Sequence, residues 1–143
     1  MKQKITLLPT RRSVIEASLV AGAAVTLVSC GSGDKAQDLP EATGTATDAI
    51  DAAKLPVQGT ASVTVNGRGY LLYRPDDSTV LAYTSVCTHQ GCKVGTGSGE
   101  IFECPCHGSQ FSKTDGSVAQ GPAKKSLTRF AAAIEGGKVK IYL

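Results

Sequence analysis

Four of the five cysteines and both histidines of this 143-residue chain fall in two short stretches, Cys87-Thr88-His89-Gln90-Gly91-Cys92 and Cys104-Pro105-Cys106-His107-Gly108-Ser109. Each opens with a thiol and offers an imidazole two or three residues later, Cys87 with His89 and Cys104 with His107. Together these donors make a four-point metal site. Two Cys and two His suit a structural zinc ion, and they also suit a two-iron cluster in which imidazoles replace thiolates on one iron. A common zinc finger pairs Cys with Cys on one loop and His with His on the other, whereas here each loop carries one of each. Two mixed loops gripping from opposite sides can put both thiolates on one iron and both imidazoles on the other.

With C-T-H-x-G-C followed by C-P-C-H-G-S, the chain closely resembles the Rieske iron-sulfur proteins. The resemblance implies one [2Fe-2S] cluster, with Cys87 and Cys104 as ligands of the inner iron and His89 and His107 as ligands of the outer one. It further implies a disulfide between Cys92 and Cys106, as in the respiratory-type members, which would pin both loops over the cluster. Ser109 matches the family's serine that donates a hydrogen bond to a bridging sulfide. Gly121-Pro122-Ala123 resembles the proline loop that covers the cluster from a third side. One departure stands out: high-potential members carry Tyr two positions after that serine, and this chain has Phe111.

Such a ligand set has a direct consequence for redox chemistry. Replacing two thiolates by neutral imidazoles leaves the site two charges less negative, so an added electron is easier to hold in a low-dielectric pocket. Rieske centres accordingly span about −150 to +300 mV. With the Ser109 donor present and the Tyr donor absent, the expected midpoint lies below the quinol-oxidising respiratory subunits. It should lie above the ferredoxins that serve ring-hydroxylating oxygenases.

The elements that must position these loops read as short strands. Apolar or alternating runs cover 62–65, 70–74, 80–85, 101–103, 127–134 and 138–142, and the chain resumes strand after the second loop at 109–112. Asn66-Gly67, Pro75-Asp76-Asp77 and Gly136-Gly137 punctuate them as tight turns. The pattern predicts an all-β domain of small antiparallel sheets over residues 54–143, with the two ligand loops as a cluster-binding subdomain. The three alanines 131–133 lie in a strand rather than a helix, because the Gly-Gly hairpin follows. Residues 93–99 are rich in glycine but lack the Lys-Ser or Lys-Thr of a phosphate-binding loop and read as a turn.

Residues 1–29 read as an export signal. A basic start and the pair Arg11-Arg12 precede an apolar run, 17–28, that is short and weak beside the roughly 20 residues of a membrane span. The pair resembles a twin-arginine signal. That route carries folded cargo, which suits a cluster inserted in the cytoplasm. The run closes on Leu27-Val28-Ser29-Cys30, resembling a lipobox, which makes Cys30 the lipidation site and accounts for the odd cysteine. Residues 30–53 are small and polar and read as a flexible tether, with a short helix possible at 46–54.

The net charge of +3 is misleading, since four basic residues and one acidic residue lie in the signal and the remainder holds 11 of each. Near neutrality and without Trp, the domain has no footprint for nucleic acid. No paired carboxylates and no nucleophile with an adjacent base stand out, so the chain is not read as an enzyme alone. The expectation is a lipid-anchored carrier of one electron on the extracytoplasmic face of a bacterial membrane, working between redox protein partners. The alternative is a small electron-transfer subunit of a membrane oxidoreductase complex of the quinol-cytochrome c or arsenite oxidase type. Zinc binding without redox chemistry is a third reading and predicts a colourless protein.

Overall fold

The structure, a computed structural model, describes residues 40–143. The export signal, Cys30 and the first part of the tether lie outside the described residues. Its regular elements are all strands but one: β1 (Ala46–Asp51), a 3-10 turn (Ala52–Lys54), β2 (Thr60–Val65), β3 (Arg68–Tyr73), β4 (Leu81–Thr84), β5 (Ile101–Glu103), β6 (Gln110–Ser112), β7 (Val118–Gln120), β8 (Arg129–Phe130), β9 (Ala132–Glu135) and β10 (Lys138–Tyr142). They form three antiparallel sheets, ordered β1-β10-β9, β2-β3-β4-β8 and β5-β6-β7.

The middle sheet holds the molecule together because both of its faces are apolar. Side chains alternate across a strand. On β3 and β4, Leu71, Tyr73, Leu81 and Tyr83 therefore join one core with Val94, Phe102, Phe111, Leu127 and the two cysteines Cys87 and Cys104. Tyr70, Leu72 and Ala82 point the other way, into a second core with Leu55, Val65, Val139 and Ile141. This double burial is why 70–73 reads as an unbroken apolar run instead of alternating. The β2-β3 hairpin turns on Asn66 (φ 50°) and Gly67 (φ 76°), the left-handed pair that a two-residue turn of matching twist requires.

Two expectations change. Residues 46–51, placed in the tether, form the edge strand β1, and the helical option at 46–54 shrinks to the single 3-10 turn at Ala52–Lys54. Ile50 faces Val139 across the ladder, and Thr45 and Leu143 exchange backbone hydrogen bonds of 3.0 and 3.2 Å. The sheet thus begins about eight residues before the expected domain start. Its polar composition hid a strand whose backbone, rather than its side chains, makes the pairing. The run read as strand over 127–134 is strand only from Arg129, and it breaks at Ala131: β8 pairs with β4 and β9 with β10, so the chain passes from one sheet to another there.

Candidate metal centre

Both ligand loops are closed by the same backbone frame. In loop 1 the Cys87 N–H donates to Cys92 O and the Gly91 N–H to Cys87 O, each at 2.8 Å. In loop 2 the Cys104 N–H donates to Ser109 O at 2.8 Å and the Gly108 N–H to Cys104 O at 3.0 Å. The fifth residue of each loop has left-handed backbone, φ 76° at Gly91 and 74° at Gly108, where an L side chain would be strained. Loop 1 leaves β4 through Ser85 and Val86, and loop 2 joins β5 to β6. Their stems are paired by Gly95 and Glu103, which exchange backbone hydrogen bonds of 2.8 and 3.3 Å.

A disulfide between Cys92 and Cys106 joins the loops, with Cα atoms 6.5 Å apart. Closing a loop of this size contributes about 3 kcal/mol against the unfolded chain. Cys87 and Cys104 remain as free thiols, 3% and 1% exposed. The sulfurs of Cys92, Cys104 and Cys106 lie within 4.8 Å of one another, so the bridge sits directly beside the Cys104 donor. Burial pushes the Cys104 thiol up, and the neighbouring Cys87 adds to this, while the backbone N–H groups of Cys106 and His107 pull it down. Those two N–H groups aim at the sulfur and favour a thiolate there. Metal binding would displace the protons and make use of both donors.

The imidazoles face each other on the outer side. The rings of His89 and His107 stand edge to face, with centroids 4.9 Å apart. His107 is exposed and His89 half-buried. Nδ1 of His89 is buried without any hydrogen-bond partner. A buried ring nitrogen left bare is costly unless something binds it. Two buried thiols, two facing imidazoles and this bare nitrogen fit a metal group gripped between the loops. The disulfide withdraws Cys92 and Cys106 from the donor set and leaves two sulfurs and two nitrogens.

Ser109 is fully buried, and its Oγ accepts the Ala123 N–H at 3.0 Å, which leaves its own hydroxyl hydrogen to be donated into the site. Through that bond the third loop is tied to loop 2. Gly121 and Pro122 are exposed on it, and Ala123 is buried beneath. Two further ties were not singled out from the sequence. The Thr88 hydroxyl donates to Lys125 O at 2.6 Å, and Gln120 Nε2 donates to Gly108 O at 3.2 Å. Thr88 lies inside the C-T-H motif, and that position was the available signal. Gln120 lies in β7, which the sequence did not reveal.

The family model for the Rieske [2Fe-2S] domain matches residues 45–131, more than half of the chain. The chain belongs to the Rieske [2Fe-2S] domain family. The family's cofactor, one Rieske [2Fe-2S] cluster, is the group that the donor set fits. Over 68 residues the Rieske domain is 44% identical to the cytochrome b6-f complex iron-sulfur subunit of Synechococcus sp. (strain JA-3-3Ab), a match covering 46% of this chain and 39% of that protein. The plasma membrane Rieske protein PetC3 of Synechocystis PCC 6803 superposes with a TM-score of 0.60 at 27% identity, covering 68% of this chain and 99% of that one. The Sphingomonas yanoikuyae B1 ferredoxin shares the fold, with a TM-score of 0.59 at 24% identity over 69% of this chain and 99% of that one.

Proposed function

We propose that Cys87, Cys104, His89 and His107 hold the cluster, the two cysteines on the inner iron and the two histidines on the outer. On this reading the protein is a membrane-tethered extracytoplasmic carrier of one electron. The observation that carries it is the unpartnered, buried Nδ1 of His89, whose ring packs against that of His107, on loops whose first cysteines are buried free thiols. When bound, the cluster supplies a one-electron couple at higher potential than an all-thiolate one. The chain's residues do the rest. Both loops exclude water from the sulfur side, Ser109 offers a hydroxyl hydrogen, and the exposed His107 brings the site to the surface, where a partner can approach. No substrate-transforming site is part of this reading.

The tether rests on the sequence: Arg11-Arg12, the weak apolar run and the Cys30 lipobox. Two acyl chains on Cys30 would hold the domain at the membrane where one would not. Fractionation of cells expressing the whole chain tests this. The iron-sulfur chromophore should sit in membranes, come off with detergent but not with salt, and become soluble in Cys30→Ala. A wild-type chromophore in the cytoplasmic soluble fraction would overturn the tether. The second reading, a subunit of a membrane oxidoreductase complex, is favoured by the cytochrome b6-f subunits among the relatives. Co-purification of stoichiometric partners from the same detergent extract would select it.

A further inference from the structure

Beside His89 lies a surface hollow of about 420 Å³ lined by Thr88, His89, Pro122, Lys124 and Lys125. We propose that Lys124 and Lys125 make this hollow a docking surface for the acidic face of a redox protein, which places that protein's centre against the His89 side for transfer of one electron. The inference rests on the electron-carrier reading and adds to it the charge of the partner.

Three observations carry the inference. The first is charge: no Asp or Glu occurs in 86–93, in 104–114 or in 116–128, the segments that hold the ligand loops and the third loop. The acids that flank these segments do not line the hollow: Glu103 is in β5, paired through its backbone with Gly95, and Asp115 accepts hydrogen bonds from the N–H and hydroxyl of Ser117. The second is that Lys124 and Lys125 are exposed and enter no ion pair among the described residues. Four cations elsewhere are ion-paired: Lys54 and Lys138 with Asp51, Lys140 with Glu135, and Arg74 with Asp77. Two adjacent unmatched ammonium groups repel each other, and a partner's carboxylates would relieve that repulsion.

The third observation is placement. The lysines sit on a loop fixed to both ligand loops, by Thr88 Oγ1 to Lys125 O at 2.6 Å and by the Ala123 N–H to Ser109 Oγ at 3.0 Å. Their backbone cannot drift from His89 without breaking those bonds. Charge held at a fixed position steers encounter and sets orientation more than it sets affinity. In the docked pair one electron leaves one centre and the other gains it, with no bond made or broken.

The test is stopped-flow oxidation of the whole, cluster-loaded chain, reduced beforehand with dithionite, by an acidic plastocyanin and by a basic cytochrome c. The variants are K124E/K125E and the charge-matched distal control K54E/K140E. At low ionic strength the tip variant should react about tenfold more slowly than wild type with plastocyanin and faster than wild type with cytochrome c. The wild-type rate with plastocyanin should fall as salt rises. The control should stay within about twofold of wild type. An unchanged tip variant, or an equal loss in the control, would overturn the proposal while leaving the carrier reading intact. Failure of every oxidant, ferricyanide included, to reoxidise the protein would sink both. Should K124E/K125E lose its cluster, K124Q and K125Q serve instead: each should slow the plastocyanin reaction about threefold, and no slowing in either would count against the docking surface.

Discussion

Ser109 is the residue whose chemistry is most exposed to a simple test. Its oxygen is occupied by the Ala123 N–H, so its hydroxyl hydrogen is what it can offer the cluster sulfurs. Such a bond strengthens as the cluster gains negative charge. The midpoint reads the gain in that bond on reduction, which cannot exceed the worth of a hydrogen bond to a charged acceptor, about 1.5–3 kcal/mol; with about 1.4 kcal/mol to 59 mV for one electron, Ser109→Ala should lower the midpoint by tens of millivolts, up to roughly 130 mV. Protein-film voltammetry on wild type and variant reads this directly, and an unshifted midpoint would contradict the role. Phe111 is fully buried and carries no hydroxyl, so Ser109 is the one hydroxyl of the two expected positions, and the same voltammetry tests the expected low potential. Individual donors were the most legible part of the chain. Cys87, His89, Cys104 and His107 stand at motif spacings, and the structure sets the two thiols beside each other and the two rings edge to face. What spacing could not reveal was which polar atom would be left bare, because that depends on packing around His89.

Strands were legible where turns or double burial marked them. Asn66-Gly67 and Gly136-Gly137 fixed two hairpins, and the apolar run of β3 declared itself. The strand β1 was not visible, since its alternation is polar and its partner β10 lies about ninety residues away in the chain. The β4 strand carries a prediction of its own. Tyr83 is fully buried, its hydroxyl donates to Lys113 O at 3.1 Å, and burial pushes its pKa up to about 12 from an ordinary value of 10.0, with nearby Asp115 adding and Arg129 opposing. The fold accommodates the neutral phenol. The resulting stability is therefore fully present below pH 10.0 and is lost as pH rises through about 12. A two-unit shift corresponds to up to roughly 3 kcal/mol. Denaturant titrations from pH 8 to 12 should show this alkaline loss in wild type and a shallower one in Tyr83→Phe. The variant should be about 1 kcal/mol weaker at neutral pH because the Lys113 carbonyl loses its donor. The same alkaline slope in both proteins would contradict the assignment.

For the molecule as a whole, the sequence indicated all-β sheets with a two-loop subdomain, and the structure has that form. It did not indicate that one sheet is shared by two cores, and so that the cysteines are packed against Leu71, Tyr83 and Phe102. That arrangement arises from contacts between distant segments, each apolar by itself but silent about its neighbour. Arg74 illustrates the same limit. Its guanidinium donates to the backbone carbonyls of Ala52 and Leu55 at 3.3 and 2.9 Å and to those of Asp76 and Asp77 at 3.3 and 3.0 Å. It clasps two segments that nothing in its sequence neighbourhood connects. On the proposed reading, this architecture serves two sulfurs and two ring nitrogens carried on two loops joined by the Cys92–Cys106 disulfide. Pulsed electron paramagnetic resonance on the dithionite-reduced whole chain probes that directly. The account predicts a signal from one reduced two-iron cluster with strong couplings to two imidazole nitrogens, both lost in His89→Ala and His107→Ala. A signal without strongly coupled nitrogen, or an EPR-silent protein holding zinc, would contradict it.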